Sequence, residues 1–237
     1  MNTTTSKSRL TLYTVLSFLI TLAVPILLVM LSVRLVMTDA YLTLEYNKPD
    51  FSPDTYGFTQ ADRLHFAPYA LNFLNAPVGI DYLGNLTLPD GKALYNPREL
   101  QHMIDVKSVY SAAIAVLIGT LLVFIVSLVV MLQSVEGRRA LRRGLFGGGL
   151  LMLAIIGFLV AMLLVDWERF FDGFHDLFFA RGTWVFDYSD SLIRLFPVRF
   201  WQDAALTIGG MCVAGAVLLL VGCWWSARRA TAQRGLT

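Results

Sequence analysis

The sequence predicts an all-α membrane protein with four transmembrane helices and a small extracytoplasmic cap. Hydrophobic residues make up 56% of the 237 positions and charged residues only 15%, which is too apolar for an ordinary soluble domain. The apolar residues also fall into four long stretches, each reaching the roughly 20 residues that a helix needs to cross a bilayer. Backbone groups in lipid can bond only to one another, so we expect these stretches to be helices.

The four spans divide one integral membrane domain into connected segments. We place the spans at residues 10–37, 108–133, 145–165 and 204–225. The remaining segments are a cap segment at 38–107, a cytoplasmic loop at 134–144, an aromatic interfacial segment at 166–203 and a cytoplasmic tail at 226–237. The first apolar stretch is longer than the core of a signal peptide, so we expect it to remain as a helix.

Basic residues predict the orientation. Four arginines lie in the loop at 134–144, and others lie near the two ends of the chain. With four spans these segments share one side, which the positive-inside rule makes the cytoplasm. Both termini are therefore expected in the cytoplasm and the two long connections outside. Basic residues elsewhere are interleaved with acids, so we expect no nucleic-acid partner.

The cap segment carries three local signals. Apolar residues at helical spacing over 59–75 predict an amphipathic surface helix. Two short alternating runs around Pro89-Asp90-Gly91 predict a β-hairpin. Asn96-Pro97-Arg98-Glu99 then resembles a capping box, which predicts a helix that continues into the second span. His102 would thus be rigidly placed at the membrane interface.

The aromatic interfacial segment holds twelve aromatic residues between 166 and 202. Aromatic rings gather at the depth of the lipid headgroups. Gly173, Gly182, Pro197 and several acids prevent this segment from spanning the membrane. We therefore predict short helices and turns that lie in the interface.

Titratable side chains in these two segments are candidates for catalytic groups. The chain has three histidines, His65, His102 and His175, all on the predicted outer side. Acidic residues flank two of them: Glu99 and Asp105 beside His102, and Asp172 and Asp176 beside His175. A nearby carboxylate can fix the tautomer of an imidazole and raise its basicity.

The spacing of these residues leaves three functions open. Two histidines can perform general acid-base chemistry on a bound amphiphile. A non-catalytic protein that binds a lipid or a partner would use them only structurally. A metal-assisted hydrolase would use His102, His175 and nearby aspartates. No HExxH pattern or Cys/His metal spacing is present, so we expect no metal and no other cofactor.

Two runs resemble a known family. The run Tyr95 to Lys107, YNPRELQHMIDVK, resembles the RE-x-x-HM-x-DVK signature of the bacterial lipoprotein intramolecular transacylases, called Lit. The run FHDLFF that begins at Phe174, with the aromatic residues after it, is similar to the second outward segment of that family. The length and the four-span topology also agree.

The resemblance implies an acyltransferase of the bacterial plasma membrane with its active site at the extracytoplasmic face. Its partners would be membrane lipid and a diacylated lipoprotein. The reaction would move the sn-2 acyl chain of the S-diacylglyceryl cysteine to the α-amino group of the same cysteine, giving a lyso-form lipoprotein. The implied catalytic residues are His102 and His175, with either one as the base. Residues expected to bind or orient the substrate are Arg98, Glu99, Asp105, Lys107, Phe171, Phe174, Asp176, Phe178 and Trp184.

Overall fold

A computed structural model describes the backbone of residues 3–234 and the side chains of residues 8–229. The described part contains nine helices: α1 (Thr3–Val36), α2 (Asp39–Tyr46), α3 (Gln60–Asn75), α4 (Asp81–Gly84), α5 (Pro97–Leu132), α6 (Val135–Val165), α7 (Trp167–Phe178), α8 (Ser191–Leu195) and α9 (Val198–Arg234). Helices α1, α5, α6 and α9 are each long and apolar enough to cross a membrane. The final residues of the predicted tail, 235–237, lie outside the described residues.

The chain divides into two compact units. The first unit comprises residues 1–32, 115–162 and 208–237, and the second comprises residues 33–114 and 163–207. Most of the apolar length of the four long helices belongs to the first unit. All three histidines belong to the second unit.

Glycines in α6 allow close helix packing in the first unit. A Cβ atom at Gly148 would lie 2.6 Å from the Cβ of Val24, and one at Gly144 would lie 2.7 Å from the Ser17 carbonyl oxygen. Small residues at such positions let membrane helices approach closely. The Oγ of Ser17 also donates a 2.9 Å hydrogen bond to the carbonyl oxygen of Ala140. These contacts hold α6 against α1.

The structure corrects the expected loop at 134–144. Helix α6 already begins at Val135, so most of this stretch is helical. Ser134 begins the helix because its hydroxyl accepts a 2.9 Å hydrogen bond from the N–H of Gly137. A serine at this position satisfies a backbone group that the first turn leaves free, and the arginines that follow are good helix formers. The run of arginines that predicted a loop conceals a helix start.

The core of the second unit forms around α3. The predicted helix is present, and Thr59 caps it together with Asp62 in a capping box. It is not a surface helix, because its buried residues include Arg63, Phe66, Ala67, Ala70, Leu71 and Phe73. They pack with buried residues of α2, α5 and α8, among them Leu42, Met103 and Leu195. Helix α2 itself was not predicted.

The predicted β-hairpin is absent as a pair of strands. A tight turn brings Thr87 opposite Ala93 in one isolated antiparallel bridge. The N–H of Leu88 donates to the carbonyl of Lys92, and the N–H of Leu94 donates to the carbonyl of Leu86, each at 2.8 Å. The ladder ends there because α4 ends just before it at Gly84 and the cap of α5 begins just after it. The turn was predicted correctly, but the strands have no room to extend.

Candidate active site

His102 stands in the second turn of α5, and the capping box fixes that turn. The side-chain oxygen of Asn96 accepts hydrogen bonds from the N–H groups of Arg98 at 2.9 Å and Glu99 at 3.0 Å. In return, Glu99 Oε2 accepts a 2.7 Å bond from the N–H of Asn96. His102 is 7% exposed. A rigid helix start therefore holds a buried imidazole.

Glu99 does not orient His102 as the sequence suggested. Its other oxygen, Oε1, accepts a 2.6 Å hydrogen bond from the N–H of Leu192, 93 residues away. The side chain is only 1% exposed, so both oxygens are committed to backbone N–H groups. Asp105 accepts a hydrogen bond from Gln101 at 3.1 Å. The structure thus gives both carboxylates partners other than the imidazole.

Asp190 continues this link between the two segments. Its oxygens accept hydrogen bonds from Asn96 at 3.0 Å and from Arg98 at 3.2 Å. The guanidinium of Arg98 also lies over the ring of Phe186, 5.5 Å from its centroid. Three polar side chains at the start of α5 therefore position residues 186–192.

His175 lies near the end of α7, and its own helix fixes its tautomer. Its Nδ1 lies 2.8 Å from the carbonyl oxygen of Phe171, one turn earlier. A carbonyl can only accept, so Nδ1 carries the hydrogen and Nε2 presents a lone pair. Burial lowers the pKa of His175, and this effect outweighs the Phe171 carbonyl and the carboxylates of Asp172 and Asp176, which raise it. The neutral, basic form is therefore favoured at neutral pH.

Aromatic rings bring the two histidines into one cluster. Phe179 contacts both of them, with its ring centroid 5.0 Å from that of His102 and 5.9 Å from that of His175. Phe186 packs against His102 at 5.2 Å, and Trp184 packs against His175 at 4.7 Å. Phe171 stacks on His175 at 4.1 Å. The two imidazoles are close enough to interact electrostatically.

This cluster contains two buried polar atoms with no hydrogen-bond partner in the described part of the chain, His102 Nδ1 and Trp184 Nε1. An unpaired buried polar group is costly, and such groups recur where a ligand completes the bonding. The cluster thus combines a lone pair at His175 Nε2, unpaired polar groups and apolar walls. This combination is suited to proton transfer on an amphiphilic molecule.

The other expected site residues have different surroundings. Phe174 and Phe178 are about half exposed and pack on each other with centroids 5.1 Å apart. Asp176 forms an ion pair with Arg181 at 3.1 Å. Lys107 donates two hydrogen bonds to backbone carbonyl oxygens, those of Ala76 at 2.8 Å and Val78 at 2.7 Å. Asp176 and Lys107 are therefore tied to protein groups.

Sequence reasoning missed Phe179, Phe186 and Asp190 as site residues. Phe179 is the residue that caps the C-terminus of α7, and its N–H donates a 2.8 Å hydrogen bond to the carbonyl of His175; the signal for it was its position four residues after His175. The other two contact α5 through pairings more than 80 residues apart. Local spacing does not reveal such pairings.

His65 lies apart from the cluster as an exposed residue of α3 beside Phe66 and Tyr69. Within the described residues, no three His, Cys, Asp or Glu side chains are grouped so that they could hold a metal ion.

Comparisons with known proteins show which family and fold the chain resembles. A curated relative, an uncharacterised protein of Aquifex aeolicus (strain VF5), is 28% identical over 213 residues, covering 86% of this chain and 91% of that protein. The in meso structure of the membrane integral lipoprotein intramolecular transacylase Lit from Bacillus cereus matches at a TM-score of 0.76 and 20% identity, covering 95% of this chain and 99% of that one. A variant of that protein with a histidine-to-alanine substitution matches at 0.67 and 20% identity, covering 95% and 96%.

The structural similarity concerns the fold, and the family is shown by the sequence. The family model of lipoprotein intramolecular transacylase Lit matches residues 18–201, which is most of the chain. With its four apolar helices, this multi-pass membrane protein belongs to the lipoprotein intramolecular transacylase Lit family of enzymes.

Proposed function

We propose that the protein moves the sn-2 acyl chain of an S-diacylglyceryl cysteine to the α-amino group of the same cysteine. The substrate would be a diacylated lipoprotein and the product its N-acyl, S-monoacylglyceryl form. The observation that carries this proposal is the tautomer of His175, whose Nε2 lone pair stands in an aromatic cluster with a second histidine. Such a base suits the deprotonation of an amine that attacks an ester.

His175 is the base in this scheme. The α-amine nitrogen attacks the carbonyl carbon of the sn-2 ester and forms the new C–N bond. Nε2 of His175 takes the proton that the amine loses. A free α-amine has a pKa of about 7.7 to 8.0, and its nitrogen becomes much more acidic as the C–N bond forms, so His175 can accept the proton although burial lowers its own pKa.

His102 is the hydrogen-bond donor, because burial and the neighbouring His175 lower its pKa to about 4 and keep its ring neutral at neutral pH. As the ester C–O bond breaks, the glyceryl oxygen leaves and requires a proton. The buried Nδ1 of His102, which has no protein partner among the described residues, would donate to the oxygen that gains charge. His175 then gives the proton that it took from the amine to the glyceryl oxygen, which leaves as a hydroxyl group.

The aromatic walls provide confinement. Amine and ester belong to one molecule, so holding them in a reactive geometry contributes about 7–11 kcal/mol where alignment is good. Phe171 and Trp184 pack on His175 and would exclude the water that hydrolyses the ester. Exposed Phe174 and Phe178 would contact an acyl chain. Arg98 and Glu99 would act indirectly, by orienting the α5 start and the segment around Phe186.

The proposed orientation places this cluster outside the cell membrane and both termini in the cytoplasm. The arginines at 138, 139, 142 and 143 support it, since they adjoin the short turn between α5 and α6. Residues 228 and 229 of α9 are also arginines. Acidic residues, in contrast, concentrate in the second unit. Cysteine accessibility across intact cells, with single reporter cysteines in each unit, would test the sidedness.

Mass spectrometry of a reporter lipoprotein tests the reaction. The protein would be expressed in a host that lacks such an enzyme, with its His102→Ala, His175→Ala and His65→Ala variants. We expect N-acyl, S-monoacylglyceryl cysteine from the wild type and from His65→Ala, the matched control at an exposed histidine. The two site variants should give free-amine diacylglyceryl cysteine. An unchanged lipopeptide with folded wild-type protein would favour the non-catalytic lipid- or partner-binding alternative.

A further inference from the structure

A cleft of about 250 Å³ lies in the second unit, and none of its lining residues belongs to the histidine cluster. It is lined by residues 52–56, Arg63, Tyr188, Ile193, Arg194 and Pro197. The volume is somewhat below the roughly 300–1,000 Å³ of pockets that enclose a whole small molecule. A volume of this size instead suits a short piece of a longer chain.

The floor of the cleft is polar and carries excess positive charge. Arg194 pairs with Asp54 at 3.0 Å, and both side chains are nearly buried, at 11% and 5% exposure. Arg63 is 5% exposed, and its described acceptors are neutral carbonyl oxygens of Ser52 at 2.7 Å and Arg194 at 3.0 Å. Two guanidinium groups therefore face one carboxylate among the lining residues.

Two exposed tyrosines flank this floor. Tyr188 is 74% exposed and Tyr56 is 53% exposed, so large parts of both aromatic rings are open to solvent. Tyrosine is enriched in surfaces that bind polypeptides, because it offers a large rigid apolar face and a hydroxyl. A charged floor between two tyrosines has the character of a peptide-binding surface.

The chain connects the cleft closely to the histidine cluster. Tyr188 follows Phe186 by two residues, which span at most about 7 Å, and the ring of Phe186 lies 5.2 Å from that of His102. Ile193 adjoins Leu192, whose N–H is bound by Glu99 one turn before His102. The cleft therefore begins within roughly 15–20 Å of the imidazoles, a distance that an extended peptide covers in about five residues.

We propose that this cleft binds the polypeptide that follows the lipidated cysteine and favours acidic over basic side chains there. The inference rests on the proposed function, because a lipoprotein acylated at its N-terminal cysteine must lead its polypeptide away from the site. Residues from about the fifth after the cysteine onward are those that reach the cleft. The tyrosines contact their backbone and side chains, and the arginines interact with their acidic groups.

Two sets of synthetic S-diacylglyceryl lipopeptides test this in detergent or nanodiscs with the full-length protein. The short substrate is the lipidated cysteine amide alone. The long substrates add ten residues, with either glutamates or lysines at positions five to eight after the cysteine. We expect the ratio of kcat/KM for the long acidic over the short substrate to be about tenfold, the effect of one good contact residue, and the lysine substrate to lose this advantage.

Tyr188→Ala should bring that ratio close to one. Leu44→Ala is the matched control, since this side chain is 71% exposed and does not line the cleft, and it should keep the ratio of the wild type. Equal conversion of short and long substrates by the wild type would overturn the cleft proposal and leave the proposed reaction intact. A ratio unchanged by both Tyr188→Ala and Tyr56→Ala would also overturn it. Absence of product from every substrate would overturn both proposals.

Discussion

Removing the Glu99 carboxylate should destabilise the second unit more than removing any exposed acid there. Its two oxygens accept from the N–H groups of Asn96 at 2.7 Å and Leu192 at 2.6 Å, in a side chain that is 1% exposed. A hydrogen bond to a charged group contributes about 1.5–3 kcal/mol. Glu99→Ala loses two and should therefore lower the free energy of unfolding by about 3–6 kcal/mol, a large share of the 5–15 kcal/mol typical of a folded protein.

Glu99→Gln should lose about half of this, because its amide keeps one acceptor but turns an N–H group toward a backbone N–H. Thermal unfolding in detergent measures the change. At roughly 2–4 °C per kcal/mol, Glu99→Ala should lower Tm by about 6 °C or more. His102 should also become more reactive toward diethyl pyrocarbonate, because it is packed against Phe186, on the segment that Glu99 holds.

The matched control is Glu45→Gln. Glu45 is equally buried, at 1% exposure, and pairs with Lys48 at 2.8 Å. Burial raises the pKa of Glu45 as it raises that of Glu99, but Glu45 pairs with Lys48 and does not bind the N–H of Leu192, so Glu45→Gln should leave the segment around Leu192 in place. The reasoning is refuted if Glu99→Ala stays within about 2 °C of the wild type, or if Glu45→Gln increases the reactivity of His102 equally.

Three further outcomes follow from the structure. Protonation of the substrate amine, with a pKa of about 8, should make log kcat/KM fall with slope one below that pH. Protonation also disables His175, and because burial lowers the pKa of His175, the slope should steepen to two only below about pH 6.5. Steepening above that pH contradicts this role for His175. Gly148→Ala should lower Tm because its Cβ would meet Val24, whereas Gly157→Ala, with open space around it, should not. Lys107→Met, which loses two bonds to carbonyls, should lower Tm and leave kcat near that of the wild type, whereas a substrate-binding lysine would affect KM.

The parts of the fold that depend on residues close together in the sequence were predictable. The apolar stretches became helices, and the Asn96 capping box opens α5 as its spacing indicated. Helix α2 was missed because its buried face includes Glu45, a charged residue that needs Lys48 beside it. The partner of Glu99 was missed for a similar reason, since Leu192 is distant in sequence. A carboxylate near a histidine on a helix was a reasonable candidate partner, but the backbone N–H groups bind it instead.

The sequence presented His102 and His175 as equivalent, each beside two acids, and the structure separates them by a feature that carries no sequence signature. The carbonyl that fixes the tautomer of His175 belongs to Phe171, and any residue at that position would supply it. His102 lies inside a long helix and has no described partner at Nδ1. The proposed difference between a base and a donor therefore rests on the carbonyl beside the His175 ring, and not on the carboxylates around the two histidines.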